Sequence, residues 1–198
     1  VFLIKEVVPL FLSPDGTQGG HFTGDLDRGE PSQSSLVGLD EYQEIIYLLS
    51  GGAQRQVRFF NAQSGAPIAV ELPAGLADAY IVSFARAAGS GHRFAFATKD
   101  GRLTPVTIEF TSGFDQGERR ITPTITLGSP MQVTPATERI LRLAYQPTDQ
   151  GPLTAALTDQ GRLWYTAGSS GSSPVALTNH GNESVTSFIF DSRGETLS

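Results

Sequence analysis

The sequence predicts an all-β fold, a β-propeller-like array of antiparallel four-stranded meanders that makes up an incomplete propeller fragment. Three observations lead there. First, the hexapeptide Thr98-Lys99-Asp100-Gly101-Arg102-Leu103 returns 60 positions later as Thr158-Asp159-Gln160-Gly161-Arg162-Leu163, each copy between two strand-like runs. A polar tight turn containing Gly suits the loop between neighbouring antiparallel strands, and a repeat of that spacing argues for stacked sheets. Second, Gly 22 and Pro 12 exceed what a helical protein tolerates, and frequent turns between short strands account for them. Third, the apolar runs are short and alternate with a period of two, as in Phe94 and Phe96 against Ala95 and Ala97.

The chain opens on Val1 to Leu12, nine of whose twelve residues are Val, Phe, Leu or Ile. A spanning helix needs about 20 apolar residues, so this stretch cannot cross a membrane alone. Composition reads residues 1–12 as a buried first strand broken at Pro9, or as the end of a transmembrane helix. Residues 13–35 carry five Gly and two Pro and read as a flexible linker. The first residue is Val1 rather than Met, and Ser198 falls in a strand-like run, so the chain reads as part of a longer protein.

The propeller-like β domain is expected over 36–198, with about three blades and the start of a fourth. Leu36 to Leu39, Glu44 to Leu49, Gln56 to Asn61 and Pro67 to Leu72 make the first meander. Val57, Phe59 and Phe60 give its third run a strong β bias. Tyr80 to Ala85, Arg93 to Thr98 and Leu103 to Phe110 start the second unit. Thr111 to Thr137, rich in Ser, Gly, Thr and Pro, supplies its last strand and a crossing loop, with β-like stretches at Ile121 to Leu127 and Met131 to Thr134. Arg139 to Tyr145, Leu153 to Thr158 and Leu163 onward form the third unit. Val185 to Phe190 resembles Ile81 to Phe84 and opens a fourth.

The chemistry is sparse. There is no cysteine, which excludes disulfides, thiol catalysis and thiolate metal sites. A net charge of −6 without a basic stripe argues against nucleic acid and anionic membrane surfaces as partners. No phosphate loop, HExxH, GxSxG or SxxK motif occurs. His21 lies near Asp25 and Asp27, where metal binding is conceivable, but a lone His in a polar loop is usually solvated. His92 and His180 lie in turns and read as surface residues. Asp100, Asp159 and Asp191 also fall in turns. They form either a ring of carboxylates at a propeller mouth or turn residues whose side chains bond local backbone N–H groups, and the second reading is favoured. Arg119-Arg120 reads as a solvated positive point, and Trp164, the single Trp, as a core residue. No catalytic, cofactor-binding or metal-binding residue is assigned, no cofactor is expected, and ligand-binding residues are unknown.

The order of features resembles one family, the long form of the bacterial phosphate ABC-transporter permease subunit, PstC. Its members look like a spanning helix, an extracytoplasmic WD40-like insertion and then the permease helices. Val1 to Leu12 matches the helix exit, Leu36-Val37-Gly38-Leu39-Asp40-Glu41-Tyr42 the start of the insertion, and Phe59-Phe60-Asn61-Ala62-Gln63-Ser64-Gly65 the close of its first blade. The transport-core helices are absent from this sequence. The resemblance implies an inner-membrane protein with this segment in the periplasm. It also implies transporter subunits and the periplasmic phosphate-binding protein as partners, membrane attachment through flanking helices, and a non-catalytic interaction or regulatory role. It carries over no catalytic or phosphate-binding residue. Two alternatives stand beside it: a propeller enzyme or ligand-binding sensor with a site at the propeller mouth, and a WD40-like scaffold unconnected with transport.

Overall fold

The computed structural model describes residues 10–12, 19–21, 35–50, 56–87, 92–168 and 172–177, with side chains over 38–49, 57–87, 92–168 and 172–177. Within them, three sheets are each built from strands that follow one another in sequence and pair antiparallel. A small pair, β1 (Leu10–Leu12) with β2 (Gly19–His21), precedes them; these strands lie in the stretches read as helix end or first strand and as linker. The first sheet is β3 (Ser35–Leu39), β4 (Ile45–Ser50), β5 (Gln56–Asn61) and β6 (Pro67–Ile68). The second is β7 (Ile81–Arg86), β8 (Arg93–Thr98), β9 (Arg102–Asp115) and β10 (Glu118–Leu127), with β11 (Met131–Gln132) returning to β9. The third is β12 (Ile140–Gln146), β13 (Leu153–Thr158), β14 (Leu163–Ala167) and β15 (Val175–Leu177). The proposed fourth unit at 185–190 lies outside the described residues.

The sheets stack through their first strands: β7 lies against β3 on one side and β12 on the other. That is how blades meet around a propeller axis. The alternation in β8 decides what fills the two seams. Phe94 and Phe96 join Tyr47, Leu49 and Phe59 in a cluster between the first and second sheets. Ala95 and Ala97 point the other way, into a cluster with Ile140, Tyr145 and Ala156 of the third sheet. β8 therefore gives aromatic rings to one seam and methyl groups to the other.

The repeat seen in sequence is a repeat in backbone. Thr98 and Thr158 each accept from the Gly three residues on, Gly101 and Gly161, at 3.0 Å, and both glycines have positive φ, 77° and 71°. Opposite each turn, β7 and β12 begin with a bulge: Ile81 pairs Thr98 and Ile140 pairs Thr158, after which one residue drops out of register. Ile81 and Ile140 are 59 positions apart while the paired threonines are 60 apart, so the third sheet's first hairpin is one residue longer.

Two features were not legible in the sequence. Pro73 precedes a single helical turn, α1 (Ala74–Ala77), whose Leu76 is buried in the first cluster. Four residues are too few to show a helical period. The second feature is the length of β9 and β10. β8 pairs β9 only as far as Thr107, so 108–115 and their partners on β10 run on as a two-stranded arm. Its apolar positions, Ile108, Phe110, Ile121 and Ile125, lie in the cluster facing the first sheet. The arm ends in a two-residue turn with positive φ at both Gln116 and Gly117, the geometry of a type I′ hairpin. Beyond Phe110 both faces are exposed, so the apolar alternation that marks a strand disappears from the sequence. Pro123 is accommodated because β10 is an edge strand.

Burial pushes the Tyr47 phenol above its ordinary value, against a smaller downward pull from Arg86. Burial does the same to Tyr145, opposed by Arg93. A raised phenol favours the neutral form in the fold, so this contribution to stability is complete below about pH 10, the ordinary value for Tyr. It is lost as pH climbs through the higher folded-state values. Urea midpoints are expected to fall between pH 10 and 12, and the Tyr47→Phe, Tyr145→Phe double variant to fall less steeply. An unchanged slope in that variant would assign the alkaline loss to other groups.

Candidate functional site

The two ends of the sheets differ in what they present. At one end sit the repeated turns. Asp100 accepts from the Thr98 hydroxyl and pairs with Arg102 at 3.4 Å, while Asp159 accepts from the Arg139 N–H at 3.2 Å. The Asp100 carboxylate thus serves its own turn, while that of Asp159 ties its turn to the segment before β12, 20 residues away. Asp191 and His180 lie outside the described residues, as do Asp25, Asp27 and the side chain of His21.

Beside the second turn is a group that sequence reading missed. Glu138 is 3% exposed and sits just before β12. Its Oε2 accepts from the Thr158 hydroxyl at 2.7 Å and the Trp164 indole N–H at 2.9 Å, and its Oε1 meets Arg162 at 2.8 Å. Asp159 N–H donates to the Arg139 carbonyl at 2.9 Å. Together these tie the crossing segment to β13 and β14. Trp164 is half-buried, and its N–H serves this clasp as much as its ring serves packing. Nothing in Thr137-Glu138-Arg139 signals this in sequence, because its partners lie 20 to 26 residues on.

At the opposite end, Asp40 is 3% exposed and closes the β3–β4 hairpin by accepting from the N–H groups of Tyr42, Glu44 and Ile45. This turn is gripped by the second sheet. His92 Nε2 lies 3.2 Å from Glu41, its Nδ1 lies 3.5 Å from the Tyr47 hydroxyl, and its ring meets Phe110 edge-on at 5.0 Å. His92 is thus a bridge between sheets, with a side chain 23% exposed, rather than a plain surface residue. Arg119 pairs with Glu44 at 3.2 Å and stacks over Tyr42 at 4.8 Å. Arg120 pairs with Asp115 at 3.5 Å along the arm.

Arg119 lies directly opposite Phe114 in the register, so its contacts tie the outer part of the arm to the β3–β4 turn. Phe114, on the strand face that carries Ile108 and Phe110 inward, is 79% exposed, more than any other large apolar side chain among the described residues. A cleft of about 390 Å³ separates the arm from β6 and is lined by Glu44, Ile68, Arg119, Arg120 and Ile121. A second of similar volume lies beside α1, lined by Tyr80, Lys99, Asp100 and Arg102. Among the described residues no three His, Asp or Glu side chains gather as metal ligands, and no helix is long and apolar enough to cross a membrane. The described geometry offers hydrogen-bonded turns and one exposed aromatic ring near the end of the arm. No protein-family model matches the chain, and no curated protein matches it significantly.

Proposed function

We propose that this chain is a docking module of a phosphate ABC-transporter permease subunit. It is carried on the periplasmic side of the inner membrane and acts by protein contact rather than chemistry. The family part of this reading rests on the sequence resemblance through Val1 to Leu12, Leu36 to Tyr42 and Phe59 to Gly65. The docking part rests on one observation: the β9–β10 arm presents Phe114 to solvent while Arg119, its cross-strand partner, ties the same part of the arm to Glu44 of the first sheet. Exposed aromatic side chains on rigid supports are the residue type that dominates binding energy at protein interfaces. The partner is the periplasmic phosphate-binding protein.

The test is retention of that protein on the immobilised chain, with and without phosphate. Binding is expected in at least one condition. Phe114→Ser is expected to weaken it about tenfold or more, the loss of an interface anchor, while leaving the unfolding free energy from urea melts within about 0.5 kcal/mol of the parent because the ring is solvent-facing. Absence of retention in every condition would overturn the proposal. Equal binding by the Phe114→Ser variant would remove the arm from it.

A further inference from the structure

The two seams between sheets differ at one matched pair of positions. In the second sheet, Phe94 and Val106 are cross-strand partners on β8 and β9, 0% and 1% exposed, and both belong to the cluster facing the first sheet. Sixty residues on, the same places on β13 and β14 are held by Thr154 and Thr166. They too are cross-strand partners, 1% and 2% exposed. Thr154 lies opposite Tyr145 on β12 and two residues before Ala156, both of which face the second sheet. The pair therefore looks across the seam toward the face of the second sheet that carries Ala85, Ala87, Ala95 and Ala97 beside Leu103 and Met131.

Neither hydroxyl has a hydrogen-bond partner among the described residues. Buried polar groups are nearly always satisfied, because an unmade hydrogen bond forfeits solvation without return. Two such hydroxyls side by side on one face provide the two or more polar contacts that an internal water requires. We infer that Thr154 and Thr166 together hold one ordered water between the second and third sheets. The first seam is closed by a Phe–Val plug, and the second by a hydrated hydroxyl pair. The ligand class is a single small neutral donor and acceptor, and both hydroxyls are needed to fix it.

The test uses Thr154→Val, Thr166→Val and the double variant, which keep side-chain shape and remove only the hydroxyls. High-resolution crystal structures of the parent and the double variant are expected to show one water within hydrogen-bonding reach of both Oγ1 atoms in the first and none in the second. Each single variant is expected to lower the folding equilibrium constant about tenfold, since the remaining hydroxyl and the water each lose a partner. The double variant is expected to lose less than the product of the two, the signature of groups sharing one partner. A parent structure with that space dry, or with a water touching only one hydroxyl, would overturn the inference. So would single valine variants more stable than the parent.

Discussion

Glu138→Ala is expected to lower stability by about 3 kcal/mol. The carboxylate is the shared acceptor of the Thr158 hydroxyl and the Trp164 indole N–H, and hydrogen bonds to a charged group contribute about 1.5–3 kcal/mol each. Removing it takes the acceptor from the Trp164 N–H and leaves the Thr158 hydroxyl only the longer bond to the Arg162 carbonyl at 3.4 Å, at a site where the carboxylate itself was 3% exposed. The Arg162 contact adds little, because that guanidinium is 55% exposed and returns to water. For a chain of this size the loss corresponds to roughly 6–12 °C in melting temperature. Glu138→Gln keeps an acceptor oxygen in place and is expected to lose about 1 kcal/mol. Urea melts of the two variants check this. Equal losses would show that charge rather than acceptor geometry matters, and a loss below about 0.5 kcal/mol in Glu138→Ala would show that the clasp contributes nothing to folding.

Gly38→Ala is expected to be at least as damaging, about 3 kcal/mol or more, for a steric reason. Gly38 on β3 lies directly opposite Tyr47 on β4, and the fully buried ring lies across the glycine backbone. A Cβ at Gly38 would overlap the ring carbon Cζ and the hydroxyl oxygen of Tyr47. Tyr47 cannot swing aside, because it packs against Phe59 and Phe110 with centroids 6.2 Å away in each case. Overpacking of a filled core costs about 1–3 kcal/mol and occasionally more, and here the strain reaches the aromatic seam between two sheets. A second change isolates the cause. Gly38→Ala combined with Tyr47→Leu is expected to be more stable than Gly38→Ala alone, because the smaller side chain clears the new methyl group. A double variant no better than the sum of its parts would place the damage in backbone conformation instead.

Both sites bear on what a sequence can disclose. The clasp joins Glu138 to residues 20 and 26 positions away, and no local pattern marks a carboxylate that bonds at that distance. The Gly38–Tyr47 contact is equally silent, because a glycine in a strand shows only that a side chain is missing. His92 was placed in a turn by its neighbours, yet its role comes from Glu41 and Tyr47 on another sheet. By contrast, Asp100 was readable as a turn residue, because its partners Thr98 and Arg102 lie in its own turn, whereas the Asp159 bond to Arg139 spans 20 positions and was not.

The sequence by itself determined the β class, the four-stranded grouping and the equivalence of the second and third sheets. These follow from local terms: a period of two along each run, glycine at the positive-φ positions Gly101 and Gly161, and turn residues at fixed offsets. Arg93–Thr98 and Leu153–Thr158 have the same limits in sequence and structure. Tertiary structure alone decided that Phe94 and Ala95 face different sheets, that β9 and β10 outrun their neighbours to form an arm, and that one buried glutamate serves three residues of its own sheet. Which neighbour a face meets depends on how the sheets stack. That is settled by the total burial of many side chains rather than by any short stretch of them.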